Sequence, residues 1–240
     1  MGLWQSTFDA IYPPTCAMCD AETETTGALC GPCWRETPFI GACLCDLCGT
    51  ALDGEAAEDL RCDDCLTIAR PWTKGRAALA YDGRARDMVL RLKHSDRLDL
   101  APPAARWMAK AGAALWPDDP LLVPVPSHWT RRIKRRFDQA AILTRALRRV
   151  TGHDIALRAL VRVRATKPHK HVDRRARFAD LDGAIRPCLR HGKVLKDRNV
   201  VLIDDVMTSG ATFAAATEAA WQAGARDVRV LALARVVKTP

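Results

Sequence analysis

The sequence predicts an α/β protein, a largely parallel sheet with flanking helices preceded by a small cysteine-rich head. Three observations predict it. Apolar runs of strand length alternate with helical patterns between residues 77 and 237. Eight cysteines form four C-x-x-C pairs between residues 16 and 65. Charge changes sign at the same place. Residues 1–70 hold Arg35, Arg61 and Arg70 against twelve acidic residues, a net of −9, so in a chain of net charge +9 the remainder carries +18. At 240 residues, with 48% hydrophobic, the chain can bury a sizeable core. Two domains are expected, 1–70 and 71–240, with Pro71-Trp72-Thr73 at the break. The basic body calls for an anionic partner.

The first residues, MGLWQSTFDAIYPP, lack the basic start and long apolar core of a secretory signal. They match the Met-Gly-x-x-x-Ser myristoylation pattern. Leu3, Trp4, Phe8, Ile11 and Tyr12 fit one face of a short amphipathic helix, which is the favoured reading. No stretch reaches the roughly 18–20 apolar residues of a membrane span, and a cytoplasmic location is expected.

The cysteines read as Cys16-x2-Cys19-x10-Cys30-x2-Cys33 and Cys45-x2-Cys48-x13-Cys62-x2-Cys65. The second set repeats the first at offsets of 29, 29, 32 and 32 residues. Two C-x-x-C turns place four thiolates about 2.3 Å from one zinc in a tetrahedron. Four thiolates leave no open coordination position, so two structural zinc ions are expected. Disulfides would need an oxidising compartment, and a redox motif needs one C-x-x-C, not four. Spacing leaves open a cross-braced pairing of first with third and second with fourth pair. Cys43, two residues before Cys45, could compete as a ligand; it and Cys188 are read as small apolar residues.

In the body, residues 77–82 (AALAYD) predict a strand, and 88–93 and 103–116 predict helices. Residues 121–125 (LLVPV) form a short strand whose Pro124 and Pro126 imply an unusual following loop. Asp138 caps a helix with Ile142, Leu143, Ala146, Leu147 and Val150 on one face and Arg145, Arg148 and Arg149 on the other. Residues 157–163 predict a strand. Residues 200–203 (VVLI) are a strand of the buried parallel kind. A helix over 212–222 stops at Gly224, and 227–237 (DVRVLALARVV) is the last strand.

Ligands of such sheets bind at the carboxyl ends of strands. There the chain places Asp204 and Asp205, followed by Thr208, Ser209, Gly210, Ala211 and Thr212 at a helix start. Unpaired N–H groups and the positive dipole end suit a phosphate there, hydroxyls add donors, and Gly210 permits close approach. The carboxylates suit sugar hydroxyls or a Mg2+ held by the phosphate. The Gly-x4-Gly-Lys-Ser/Thr of a P-loop is absent.

The stretch VLIDDVMTSGAT resembles the phosphoribosyl pyrophosphate (PRPP) signature of type I phosphoribosyltransferases. Together with the doubled cysteine sets, it resembles the ComF family of competence protein F and GntX-like proteins, tandem zinc ribbons followed by a type I phosphoribosyltransferase-like domain. LRLKHSDRLDLA, LLVPVPSHWTRRIKRRFDQA and TKPHKHVDRRARFADLDGAI match as well. The resemblance implies that Asp204 and Asp205 meet the ribose hydroxyls and that Thr208 to Thr212 cradle the 5′-phosphate. The loop at Pro126 would approach the pyrophosphate, where Arg131, Arg132, Lys134, Arg135 and Arg136 supply positive charge, with Arg132 and Arg135 counted as catalytic. Lys167 lies in a stretch, 162–177, that resembles the mobile loop closing over PRPP. Two departures concern the acceptor side. Arg136 and Asp138 replace the family's Gly and Asn around Phe137, and His169 and Asp180 replace Gln and Asn.

Two functions follow. One is Mg2+-dependent transfer of a phosphoribosyl group from PRPP to an unidentified nucleophile. The other is a non-catalytic module that senses PRPP or a nucleotide, or holds single-stranded DNA, with DNA-uptake proteins as partners. The ComF resemblance implies a role in DNA uptake, and the +18 body suits DNA phosphates too.

Overall fold

The apolar runs become strands and the periodic runs become helices. The computed structural model describes residues 13–94, 97–127, 138–164 and 174–237. In the head lie two short helices, α1 (Gly31–Glu36) and α2 (Asp63–Thr67). The body follows with β1 (Gly75–Ala80), α3 (Gly83–His94), α4 (Ala101–Ala111), β2 (Pro120–Pro124), α5 (Gln139–Thr151) and β3 (Asp154–Ile155). It continues with β4 (Leu160–Arg162), α6 (Arg174–Leu181), β5 (Ile185–Pro187), β6 (Asn199–Met207), α7 (Ala211–Gln222) and β7 (Asp227–Arg235). The helix expected near the N-terminus lies outside the described residues.

Five strands form one parallel sheet in the order β1-β7-β6-β2-β3. β6 is central, and its residues from Val200 to Ile203 are buried on both faces, as a continuous apolar run requires. Val201 and Ile203 face a core built with Met88, Met108, Leu143 and Leu147. Val200 and Leu202 face a second core with Phe213, Ala216 and Ala219.

Pro124 is tolerated in β2 for a positional reason. Leu122 accepts from Ala156 on the β3 side, while Val125 N–H donates to Ile203 on the β6 side. The missing N–H of Pro124 therefore points toward β3, which has already ended. Asp138 caps α5 by accepting from Ala141 N–H, and Gly152 ends the helix at φ 77°. Val150, placed on the apolar face by its spacing, is 45% exposed, because it sits in the last turn beyond the contact with the sheet.

Three expectations change. The helix expected over 103–116 ends at Ala111, with Gly112 as its cap. The strand expected over 157–163 is three residues long and pairs antiparallel with β5 in a separate two-stranded sheet. The strand carrying Asp204 and Asp205 runs on to Met207, because Val206 and Met207 keep pairing with Ala234 and Arg235 of β7.

The head packs directly on the sheet. Cys16, Met18 and Cys33 belong to the first core, and Cys45, Cys48 and Cys65 to the second. Residues 38–40 run antiparallel to β1, with bonds Ile40 N–H to Ala78 O and Ala80 N–H to Pro38 O, covering an otherwise bare sheet edge. Opposite charges meet across the contact in Arg76–Asp46 at 2.6 Å, Arg84–Glu36 at 2.6 Å and Arg97–Asp20 at 3.6 Å. Among the described residues no helix is long and apolar enough to cross a membrane.

Candidate functional site

The cysteines gather into two clusters, Cys16/Cys19/Cys30/Cys33 and Cys45/Cys48/Cys62/Cys65, each with its four sulfurs within 4.8 Å of one another. A tetrahedron with zinc–sulfur bonds of about 2.3 Å needs sulfurs about 3.8 Å apart, so both donor sets fit the metal. Each ribbon supplies its own four ligands, which removes the cross-braced pairing. Cys43 stands apart, its Sγ directed at the carbonyls of Asp53 and Glu55. Zinc bound here has a structural role, fixing knuckles that lie against the sheet. Trp72 Nε1 donates to Leu47 O between Cys45 and Cys48, and a Cβ on Gly75 would stand 2.3 Å from the same carbonyl.

The second site lies at the carboxyl ends of β2 and β6. These strands are neighbours, yet the helices that follow them cover opposite faces, α5 in the first core and α7 in the second. Helices on opposite faces after adjacent strands mark a switch-point crevice, the usual ligand position in such sheets. Strand alternation puts Asp204 and Asp205 on opposite sides of β6. Asp205 shares the α3 side, where Lys93 Nζ lies 3.1 Å from its Oδ2. Asp204 Oδ1 accepts the Asp205 N–H at 2.8 Å. Part of Asp204 reaches the surface, but burial of its carboxyl pushes its pKa well above the usual carboxylate range. The Asp205 charge adds to that, and the bond from Asp205 N–H and the Lys93 charge oppose it.

After β6 the turn reverses at Gly210, whose φ of 85° is the left-handed conformation that favours glycine. Ser209 Oγ accepts from Ala211 N–H at 3.4 Å. Thr208 is exposed, Thr212 half-buried and Ala211 buried. Among the described residues, the N–H groups of Thr208, Ser209 and Gly210 donate to no acceptor. With the free first-turn N–H groups of α7 they leave a group of unpaired donors of the kind that suits an anion.

Pro126 follows Val125, which is bonded to Ile203 beside Asp204. Ser127 Oγ donates to Asp138 Oδ2 at 2.9 Å, so the two residues flanking 128–137 meet next to the crevice. Arg131, Arg132, Lys134, Arg135, Arg136 and Lys167 lie outside the described residues. Sequence reasoning missed three cations at the site, namely Lys93, Arg70 and Arg235. The signal for Arg235 was a charge closing an apolar strand, DVRVLALAR, where a side chain must be buried.

A family model described as a double zinc ribbon domain matches residues 7–66. The DNA utilization protein YhgH of Salmonella typhimurium is 31% identical over 202 residues, covering 81% of this chain and 85% of that protein. The YhgH of Escherichia coli K12 is 29% identical over 217 residues, covering 87% and 91%. The chain belongs to the ComF family. Among solved structures, phosphoribosylpyrophosphate synthetase from Mycobacterium smegmatis aligns with a TM-score of 0.32 at 18% identity over 58% of this chain. That alignment spans about a third of the synthetase, 34%. The paired ribbons and the parallel sheet are visible in the cysteine clusters and the strand order themselves.

Proposed function

We propose that this ComF protein binds PRPP with Mg2+ in the crevice between β2 and β6 and transfers its phosphoribosyl group to a nucleophile. The observation that carries the reading is the joining of two carboxylates to a turn with three unbonded N–H groups at a helix start. In this reading residues 1–70 are the scaffold and residues 71–240 carry the site. The N–H groups of Thr208, Ser209 and Gly210, with the hydroxyls of Thr208, Ser209 and Thr212 and the small Ala211, hold the 5′-phosphate. Asp204 and Asp205 take the ribose hydroxyls, and Mg2+, held with the pyrophosphate, supplies charge neutralisation. Attack at the anomeric carbon breaks its bond to the pyrophosphate, which leaves with the electron pair. Pro126 opens the loop on that side, and Arg131, Arg132, Arg135 and Lys167 carry the positive charge that a leaving pyrophosphate needs. Eight thiols kept for metal suit a cytoplasmic setting.

A second reading is favoured by the relatives' name, which concerns DNA utilisation, and by the +18 body. Here the same fold holds single-stranded DNA or senses a nucleotide without turnover. Calorimetry with PRPP, with and without Mg2+, separates the two. Mg2+-dependent heat lost in Asp204→Asn and Asp205→Asn supports the first. No PRPP heat, together with oligonucleotide binding that weakens steeply with salt, replaces it with the second.

A further inference from the structure

We infer that Arg70 and Arg235 are positioning residues that tie the second cysteine cluster to the phosphate turn, so that this metal centre sets the turn's shape and the first does not. The two guanidinium groups hold the carbonyls of Thr208 and Ser209 in the turn and reach the strand-end carbonyl of Met207, which also accepts from Val236 N–H at 3.0 Å in the ladder with β7. Arg235 Nη1 donates to Met207 O at 3.2 Å, to Thr208 O, and to Val236 O at 2.8 Å. Arg70 Nη1 donates to Ser209 O at 2.8 Å.

Both cations are anchored on the second ribbon. Arg235 Nη2 lies 3.8 Å from Cys48 Sγ, and Arg235 is only 4% exposed. Among the described residues no carboxylate pairs with it. A buried cation needs a counter-charge, and a zinc held by four thiolates, with a formal charge of −2, provides one at Cys48. Arg70 lies over the Trp72 ring at 5.5 Å. Trp72 in turn donates to Leu47 O inside the Cys45–Cys48 knuckle and meets the Phe213 ring of α7 edge-on.

Peptide geometry gives the brace its consequence. In a trans peptide the C=O of one residue and the N–H of the next point in opposite directions. Drawing the carbonyls of Thr208 and Ser209 toward the ribbon therefore turns the N–H groups of Ser209 and Gly210 away from it, while the ladder bond from Val236 N–H to Met207 O sets the direction of Thr208 N–H. Those are the three unbonded donors of the proposed phosphate site. The first cluster makes no such contact among the described residues, its cations Arg84, Arg91 and Arg106 reaching the head rather than the turn.

The inference rests on the turn being the anion site, but its test does not require PRPP. Hydrogen exchange is followed over residues 207–214 in the zinc-loaded full-length protein, in Arg70→Gln, Arg70→Lys, Arg235→Gln and Arg84→Gln, and is read at the Ala214 amide, which donates to Gly210 O at 2.9 Å, because the N–H groups of 208–210 are unbonded. Arg84→Gln breaks a head–body ion pair on the side of the first ribbon and is the control. Arg70→Gln should raise exchange over 207–214 by about tenfold, equivalent to about 1.4 kcal/mol, with zinc content and the exchange of β1 and β2 unchanged. Arg70→Lys should recover part of the protection, and the control should match wild type. Inorganic phosphate should protect the segment in wild type and do so less in Arg70→Gln. Unchanged exchange over 207–214 in Arg70→Gln, or an equal rise in the control, overturns the brace. Should Arg235→Gln fail to fold, the Arg70 pair decides. Absence of PRPP heat in wild type counts against the proposed function and leaves this outcome to the exchange data.

Discussion

Lys93 Nζ lies 3.1 Å from Asp205 Oδ2, with the two side chains 19% and 12% exposed. The contact joins the last turn of α3 to the carboxyl end of β6. It places a cation against one of two adjacent carboxylates that would otherwise repel each other with little water between them. Removing one partner of a buried pair leaves an unpaired charge. Lys93→Met should therefore destabilise the protein by about 3 kcal/mol, the low end for a buried pair, since both groups keep some solvent. Adding Asp205→Asn to Lys93→Met should return part of the loss. A double-mutant cycle in urea reads the coupling, and additive losses would remove the pair from any account of the site.

Metal content gives the second expectation. The two clusters fit two zinc ions, and the cysteine sulfurs belong to the same apolar cores as the sheet. Metal analysis of protein purified without chelator should return about two zinc per chain. Because structural zinc binding is folding energy, Cys45→Ser should lower the unfolding midpoint of the whole protein and not of a detached head. Two well-separated transitions would show that the head and body fold independently.

The chain's alternation of strand and helix, and the eight ligands, were legible because each rests on a local pattern. VVLI and LLVPV are too uniformly apolar to face water, and the C-x-x-C pairs repeat at nearly constant offset. What was not legible depends on pairing between distant residues. β4 and β5 are three residues each, too short for a period to register. The partnering of cysteines within each ribbon could not be read from spacings that both pairings satisfy. No local pattern assigns Lys93 or Arg70 to the site; only the fold brings them against Asp205 and Ser209. Asp138, by contrast, was legible as a cap from its place before the helical pattern, and the structure keeps it as the α5 cap.

Gly210 tests the turn from its other side. Its φ of 85° costs an L-residue about 1–2 kcal/mol. An added Cβ would stand 2.8 Å from Arg70 Nη1 and 3.1 Å from Trp72. The clash is with the brace on the head side and not with the space in front of the N–H groups. Gly210→Ala should lower stability by at least about 1 kcal/mol and displace Arg70. Tryptophan fluorescence should change together with PRPP affinity. If Gly210→Ala matches wild type in thermal midpoint, the left-handed turn is not the conformation in solution.

Asp204 joins stability to binding with opposite signs. Its pKa is raised in the folded protein, first by burial and then by the Asp205 charge. A raised carboxyl pKa means that the folded state holds its proton more tightly than the unfolded chain, whose value is near 3.8. The contribution to stability is fully present below that value and is lost as pH rises through the folded pKa. Above the unfolded chain's value, at neutral pH, an acid at this position is thus a cost to the empty protein. Asp204→Asn should be more stable than wild type there, and the difference should shrink as pH falls toward about 4. Binding runs the other way. Ribose hydroxyls and a divalent cation both favour the charged carboxylate, so Mg2+-dependent PRPP binding should weaken as acid protonates Asp204 and should release protons. Asn at this position should lose affinity while gaining stability. Urea denaturation and calorimetry across that pH range read both quantities on the same two proteins. A variant that loses stability as well as affinity would make Asp204 a structural residue, and one that keeps full affinity would move the ligand away from β6.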